Sequence, residues 1–405
     1  MTLEKTISYR KLKSIDLNSF QSDLAATDLC RNPPEDLEDL AQCYNTTLKA
    51  VLDKHAPLIT RSIKERPRVP WFNEEIKMSK RERRKAERRW RRTRSDSDLA
   101  AFKVKRNATT ALMNKARREF YTNFIEENSG DQKKLFAASN RLLNRGSADC
   151  LPPSTDRAQF AEDIGKFFVQ KIVNIRGRLD CHGAVNCHKL DTESIESSFA
   201  HLTEFEMLTE QDVKSLMRHS SLKSCALDPM PSTLVSRCDV LLPVLTRLIN
   251  VSLTSGQFPD SWKEALVLPL LKKPGLDILF KNFRPVSNLP FVSKLTESAV
   301  YNQTHSHIYT NNLYPVNQSS YRRNYSTETA LLRVKNDILL NMNKQHVTLL
   351  VLLDLSAVFD TVDHNVLLSR LHSKFGISGT ALEWFRSYLN GRSQRVMVQG
   401  NLSQF

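Results

Sequence analysis

Six apolar residues, Val347 and the unbroken run Leu349 to Leu353, lead straight into the carboxylate of Asp354 in HVTLLVLLDLSAVFD. A short apolar run bounded by turn residues reads as a buried strand, here one that delivers an acid at its carboxyl end. The small-residue turn that follows ends in Phe359 and Asp360. Many metal-dependent phosphoryl-transfer sites begin this way, because a divalent ion needs hard oxygen ligands held on a rigid element. Such a strand also demands cover. Leu349, Val351 and Leu353 alternate with Leu350 and Leu352, so an unpaired copy would leave an open edge and an uncovered apolar face.

The rest of the composition narrows the partners. The chain has 405 residues with 59 Lys and Arg against 44 Asp and Glu, a formal charge of +15, and a balance of this sign points to polyanions. Its length suggests two or three structural units. No apolar run approaches the roughly 20 residues needed to span a bilayer, and MTLEKTISYRKLKSID lacks a signal-peptide core, so an intracellular chain with no membrane partner is expected. Seven scattered cysteines fit reduced thiols better than a disulfide framework.

Charge is concentrated in one place. Between Lys77 and Arg94 eleven bases stand against Glu82 and Glu87, more than half of the whole excess. The segment lacks Gly and Pro and continues through AFKVKRNATTALMNKARREFYTNFIEEN, which predicts a long helix or helical hairpin over about 73–127. Arg81, Arg84, Arg88, Arg91 and Arg92 are the candidate phosphate contacts; a solvated helical arm is the plainer alternative. Trp90 could stack on a base, although a single Trp more often anchors packing.

Further along, STDRAQFAEDIGKFFVQKIVNIRGRL predicts an amphipathic helix, and LTEQDVKSLMRHS a helix with a capping box from Thr209 to Asp212. Asp239 to Thr254 predicts another, ended by Gly256 and Pro259. CHGAVNCHKL at 181–190 superficially resembles a zinc knuckle, but adjacent Cys and His cannot easily share one tetrahedral ion, and a polar loop is the better account. Ala265 to Leu271 predicts a strand closed by Lys272 and Lys273; Arg284 follows, held before Pro285, and these three bases could converge on a triphosphate. Arg322 and Arg323 lie in a basic loop before a helix capped by Ser326 or Thr327.

The order of these pieces carries a family resemblance. LVLPLLKKPG, NFRPVSNLPFVSKL, NQSSYRRNYSTETALLRV, VLLDLSAVFDTVDHNVLLSRL and FGISGTALEWFRSYLNGRSQRV together resemble the reverse transcriptase of non-LTR retrotransposons, the LINE elements, in register from about residue 260 onward. LKSCALDPMPSTLV and SGQFPDSWKEA resemble the lead into that polymerase, and PWFNEEI with KRERRKAERRWRRTR resembles the connector upstream of it. The resemblance implies an α+β chain, largely helical in its N-terminal region and followed by a partial right-hand polymerase, its fingers and the start of its palm. The segments are a basic helical connector (1–130), a helical lead (131–255) and a partial reverse transcriptase domain (256–405). By the same resemblance Asp354 is the first metal-binding aspartate, with the backbone carbonyl of Leu355 as a further Mg²⁺ ligand. Phe359 stands where the family has the aromatic that blocks a ribose 2′-hydroxyl. Arg284 with Lys272 or Lys273 would hold the incoming triphosphate, and Arg322 would lie near template or nucleotide. The implied partners are an RNA template, a DNA primer and deoxynucleotides; association with an intact element protein is a separate candidate partnership that the resemblance does not itself imply.

The chain also departs from the family. QSSYRRNYSTETAL stands where the family reads close to QSGFRPGHSTETAL; two glycines and a proline are lost, and Asn324 tolerates positive φ better than Ser320 does. Val358 stands where the family prefers Ala. The sequence contains no adjacent Asp pair and no GxPQGS-like segment, so a truncated relative is expected, inactive in primer extension, with a non-catalytic RNA- or DNA-binding remnant as the alternative. Asp363 reads as a helix cap rather than a ligand.

Overall fold

The computed structural model describes residues 4–64, 69–132, 134–136, 139, 156–181, 201–273, 275–354 and 357–404. In chain order β1 (Glu4–Tyr9) precedes α1 (Leu17–Ala25), α2 (Asp28–Arg31) and α3 (Leu37–His55). Then come β2 (Ile59–Lys64), α4 (Glu74–Thr93), α5 (Asp96–Glu127), α6 (Arg157–Cys181), α7 (Glu210–His219), α8 (Ser232–Val235), α9 (Leu242–Ser255) and α10 (Asp260–Lys263). The remainder is β3 (Glu264–Leu271), β4 (Phe283–Asn288), α11 (Phe291–Thr310), α12 (Thr327–Asn343), α13 (His364–Ser373), α14 (Gly379–Leu389), β5 (Ser393–Val398) and β6 (Asn401–Leu402). The described residues are thus mostly helical with two small sheets, an α+β composition. It divides into two compact units, one of residues 1–9 with 59–152 and one of 10–58 with 153–405.

In the first unit β1 and β2 form an antiparallel ribbon, Glu4 facing Lys64 and Tyr9 facing Ile59. The predicted long basic helix is a hairpin. The Asn73 side chain accepts from the Ile76 amide at 2.9 Å and starts α4; Arg94, in the left-handed region at φ 56°, ends it, and Asp96 and Asp98 in the first turn of α5 suit that helix's positive end. Ile76, Ser79, Arg83, Ala86 and Trp90 recur at helical spacing, the stripe that meets α5. Ser79 and Thr109 hydroxyls lie 2.8 Å apart, and Trp90 stacks parallel on Phe102 with centroids at 5.6 Å. Trp90 is therefore a packing anchor.

The second unit is built around helices. Phe20 and Leu24 of α1, Leu40, Tyr44 and Leu48 of α3, Leu245, Leu248 and Ile249 of α9, and Phe291 and Leu295 of α11 share one core with Trp384 of α14. The Trp384 indole N–H donates to Ser252 Oγ at 3.0 Å, so the largest buried side chain is also satisfied. The capping box at Thr209 forms as predicted, and Gly256 at φ 66° ends α9. The helix predicted from Asp239 begins as a single 3₁₀ turn and becomes α-helical at Leu242. Half-buried Asp228 accepts from the Phe291 amide at 2.6 Å and the Cys225 amide at 2.7 Å, which fastens the start of α11. Burial pushes its carboxyl above the usual range.

The sheet of this unit has the order β4-β3-β5-β6, with β3 antiparallel to β4 and parallel to β5. Pro269 faces Pro285 across β3 and β4. Neither can donate, so this pair fits only a non-hydrogen-bonded position of the ladder. There the missing donor of Pro269 points towards β5, and the β3–β5 ladder accordingly ends at Val267. α6 covers β5 and β6, with Phe160 and Phe167 against Phe280 at 5.5 and 5.7 Å.

The buried strand expected at 347–353 is the main correction. This segment pairs with no strand among the described residues and belongs to no regular element. Val347 is 99% exposed and Leu353 88%. A strand forms only where another backbone meets its donors and acceptors, and the inner strands β3 and β5 each already have two neighbours. Two readings fall outside the described residues: the carbonyl of Leu355 and the segment 182–190 of CHGAVNCHKL. No described helix is long and apolar enough to cross a membrane.

Candidate nucleotide and nucleic-acid site

The register of the β3–β4 ribbon decides which bases meet. Leu270 faces Arg284 and Leu271 faces Phe283, and cross-strand partners share a face of a sheet. Lys272, whose amide donates to the Asn282 carbonyl at 2.8 Å, continues the ladder by one pair, so it lies on the same face as Arg284, diagonally adjacent. The face is solvent-facing, with Leu270 half exposed and Lys272 and Arg284 exposed, while Phe283 fills the covered side. The Lys272 ammonium donates to the Lys281 carbonyl at 2.7 Å, which fixes its direction. Lys273 is exposed just past the strand end, and Arg284 has no carboxylate partner among the described residues. Rigidly held cations with free donors are the groups a polyphosphate needs.

Arg322 is held differently from what a phosphate contact would suggest. Its guanidinium lies over the rings of Tyr314 at 4.9 Å and Tyr325 at 4.3 Å and donates to the Gln318 carbonyl at 3.2 Å. The loop bends through two left-handed residues, Asn324 at φ 66° and Tyr321 at φ 60°. Asn324 fits the tolerance expected of it; the second turn falls on Tyr321 rather than on Ser320. Tyr321 in turn meets Phe359 edge to face at 6.1 Å, so this basic loop touches the turn that follows Asp354. Phe359 is otherwise exposed.

Asp354 makes no hydrogen bond or ion pair among the described residues and is exposed. Asp360 sits in a turn, its amide donating to the Ala357 carbonyl at 3.0 Å. Asp363 caps α13, accepting from the amides of Asn365 at 2.8 Å and Val366 at 3.0 Å. The Val366 amide, with Asn365 and the Arg176 guanidinium, holds its carboxyl below the ordinary value. Reverse transcriptases use a divalent metal, and two ions a few ångströms apart need several converging carboxylates. Among the described residues no group of three His, Cys, Asp or Glu is placed to hold one, and Asp354 alone does not fit that role.

On α4, Arg81, Arg84, Arg88, Arg91 and Arg92 are all exposed. At 100° per residue they gather with Lys77 on the side opposite Ile76, Ser79 and Ala86. Arg91 is paired with Glu87 at 2.6 Å, and Arg81 donates to Met78 Sδ at 3.7 Å. Arg84, Arg88 and Arg92 have no carboxylate partner among the described residues. The side chains that sequence reasoning missed are Tyr301, His305 and Tyr309 of α11, whose spacing of four was the available signal.

The model of the reverse transcriptase (RNA-dependent DNA polymerase) family matches residues 271–405, and that of the female sterile protein K10 C-terminal domain matches 72–131, which covers the α4–α5 hairpin. A probable RNA-directed DNA polymerase from transposon X-element of Drosophila melanogaster is 23% identical over 98% of this chain and 45% of its own length. The RNA-directed DNA polymerase from mobile element jockey of the same fly is 26% identical over 53% of this chain and 23% of its own. The chain thus spans less than half the length of the curated relatives it matches. Residues 271–405 are thus similar to the reverse transcriptase family, and the chain as a whole is similar in sequence to RNA-directed DNA polymerases of Drosophila transposons and mobile elements.

Proposed function

We propose that this chain supplies the nucleotide-gripping and nucleic-acid-holding portion of an RNA-directed DNA polymerase, in the form of fingers and the start of a palm. The observation that carries this reading is the placement of Lys272 and Arg284 on one exposed face of the β3–β4 ribbon, inside the segment matched by the reverse transcriptase family. Lys272, Lys273 and Arg284 hold the triphosphate of an incoming deoxynucleotide. Phe359 lies against the sugar, where its ring excludes a 2′-hydroxyl. Asp354, with no converging carboxylates among the described residues, has no metal role in this reading. The polyanion partners are an RNA template and a DNA primer, and the compartment is intracellular. The segments 1–130, 131–255 and 256–405 act as connector, lead and polymerase portion, and an intact element protein is the partner of the whole.

A second reading rests on the unpaired arginines of α4: residues 1–405 hold RNA or DNA through that helix without chemistry. Two measurements separate the readings. Deoxynucleoside triphosphate binding, followed by displacement of a fluorescent analogue, is expected to weaken about tenfold or more in Lys272→Ala with Arg284→Ala, since charge-assisted contacts are each worth roughly 1.5–3 kcal/mol. Unchanged nucleotide affinity in that variant defeats the first reading. Primer extension by residues 1–405 on an RNA template is expected to be absent, and extension that Asp354→Asn abolishes overturns that expectation.

A further inference from the structure

Between the second half of α11 and the loop at 322–325 lies a cleft of about 510 Å³, within the usual range for small-ligand sites of roughly 300–1,000 Å³. One wall is a ladder of rings along α11. His305 stacks on Tyr309 at 6.2 Å with the planes 8° apart, and Tyr301, just outside the cleft, lies 5.6 Å from His305. Tyr314 closes the ladder at 5.8 Å from His305. The other wall is Arg322, clasped between Tyr314 and Tyr325, with Arg323 donating to Asn302 Oδ1 at 3.5 Å. Among the described residues no carboxylate lines the cleft. Tyr309 and Tyr325 are 66% and 46% exposed, so each presents ring surface to solvent.

We infer that this cleft is a stacking site for the bases of single-stranded nucleic acid, with Tyr309 and Tyr325 as the platforms and Arg323 as the phosphate contact. The inference rests on the nucleic-acid reading above but not on the basic helix. Planar rings with free faces, a second arginine and amide groups, with no acid among them, are the chemistry that accepts a base of any identity. A duplex cannot use it, because its bases are already stacked. Arg322 has its guanidinium covered by two rings, so it is a positioning residue that sets the spacing of Tyr314 and Tyr325. The left-handed Tyr321 and Asn324 bracket the arginine pair, a backbone arrangement that is strained for tyrosine and persists where surrounding contacts enforce it.

The test uses residues 1–405 and an eight-nucleotide single-stranded RNA carrying one 2-aminopurine, whose fluorescence is quenched when a ring stacks on it. Wild type is expected to quench. Tyr309→Ala with Tyr325→Ala is expected to lose the quench and about tenfold or more in affinity, whereas Tyr309→Phe with Tyr325→Phe keeps both, which separates lost stacking from lost folding. An oligonucleotide with abasic sites at the same charge is expected to bind like the alanine variant. Salt-dependent binding without quench, or abasic RNA bound as tightly as the parent, overturns the cleft and leaves the broader reading standing. Absence of any RNA binding overturns both.

Discussion

Neutralising Arg84, Arg88 and Arg92 together gives the most quantitative handle on the basic helix. They follow one another at four-residue steps, about 6 Å each along the axis, on the face turned away from α5. All three are exposed and none has a carboxylate partner among the described residues, so replacing them with alanine removes charge without breaking a pair. Such surface changes move stability by about 0.5 kcal/mol or less, which thermal melting followed by circular dichroism checks. If each contacts a phosphate, the slope of log affinity against log salt falls by about 0.7 per arginine for single strands and 0.9 for duplex. Three contacts therefore remove roughly 2 units. Over a fourfold rise in salt, the variant should lose roughly 16-fold less affinity than wild type. Fluorescence anisotropy with a labelled single-stranded RNA at several salt concentrations reads this directly, and Arg→Lys at the same positions should restore the slope. A triple variant that keeps the wild-type slope while still binding refutes the reasoning and moves the phosphate contacts off this face.

Three further outcomes follow from the packing. Trp384→Ala deletes the side chain at the centre of the second unit's core and the partner of Ser252; urea denaturation should show a loss of about 3–5 kcal/mol, and a loss under 1 kcal/mol argues against that core. Gly379→Ala places a Cβ 2.6 Å from the Thr203 carbonyl at a φ of 54°, so the melting temperature should fall clearly, whereas Gly130→Ala, with open space around it, should leave it unchanged. Asp363 has a folded value below its unfolded one, so its stabilisation is complete above the unfolded value and lost as pH falls through the folded one. Asp363→Ala should cost about 1 kcal/mol near neutral pH through the lost cap and flatten that acid-side decline; an unchanged decline assigns it to other carboxylates.

Local chemistry was the legible part. The caps at Thr209, Ser326 and Asp363 and the break at Gly256 depend on residues within a few positions of one another, and each forms as the sequence indicates. The α4–α5 hairpin was readable from its length, although the turn at Arg94 was not marked by Gly or Pro. The burial of 347–353 failed for a non-local reason. Apolarity states that a segment wants cover, whereas cover comes from partners that the segment's own residues do not name. The nearness of Lys272 to Arg284 needed the ladder register, and the ring cleft needed three segments, around His305, Tyr314 and Tyr325, to be brought together. Its one hint, the fourfold spacing of Tyr301, His305 and Tyr309, resembles ordinary helix packing and so carried no message in isolation.

The facing prolines of β3 and β4 bear on how this sheet meets other chains. β4 is an outer strand, and at a non-hydrogen-bonded pair the backbone of Pro285 is turned outward, so the free margin of the sheet has a gap where an incoming strand would look for an amide. Docking along β4 is thereby blunted. The stretch 347–353 contains no proline, and its backbone donors and acceptors make no backbone bond among the described residues. In concentrated solution the two should behave oppositely: self-association begins at 347–353 and spares β4, and a proline at Val351 is the substitution that gives the first the reticence of the second.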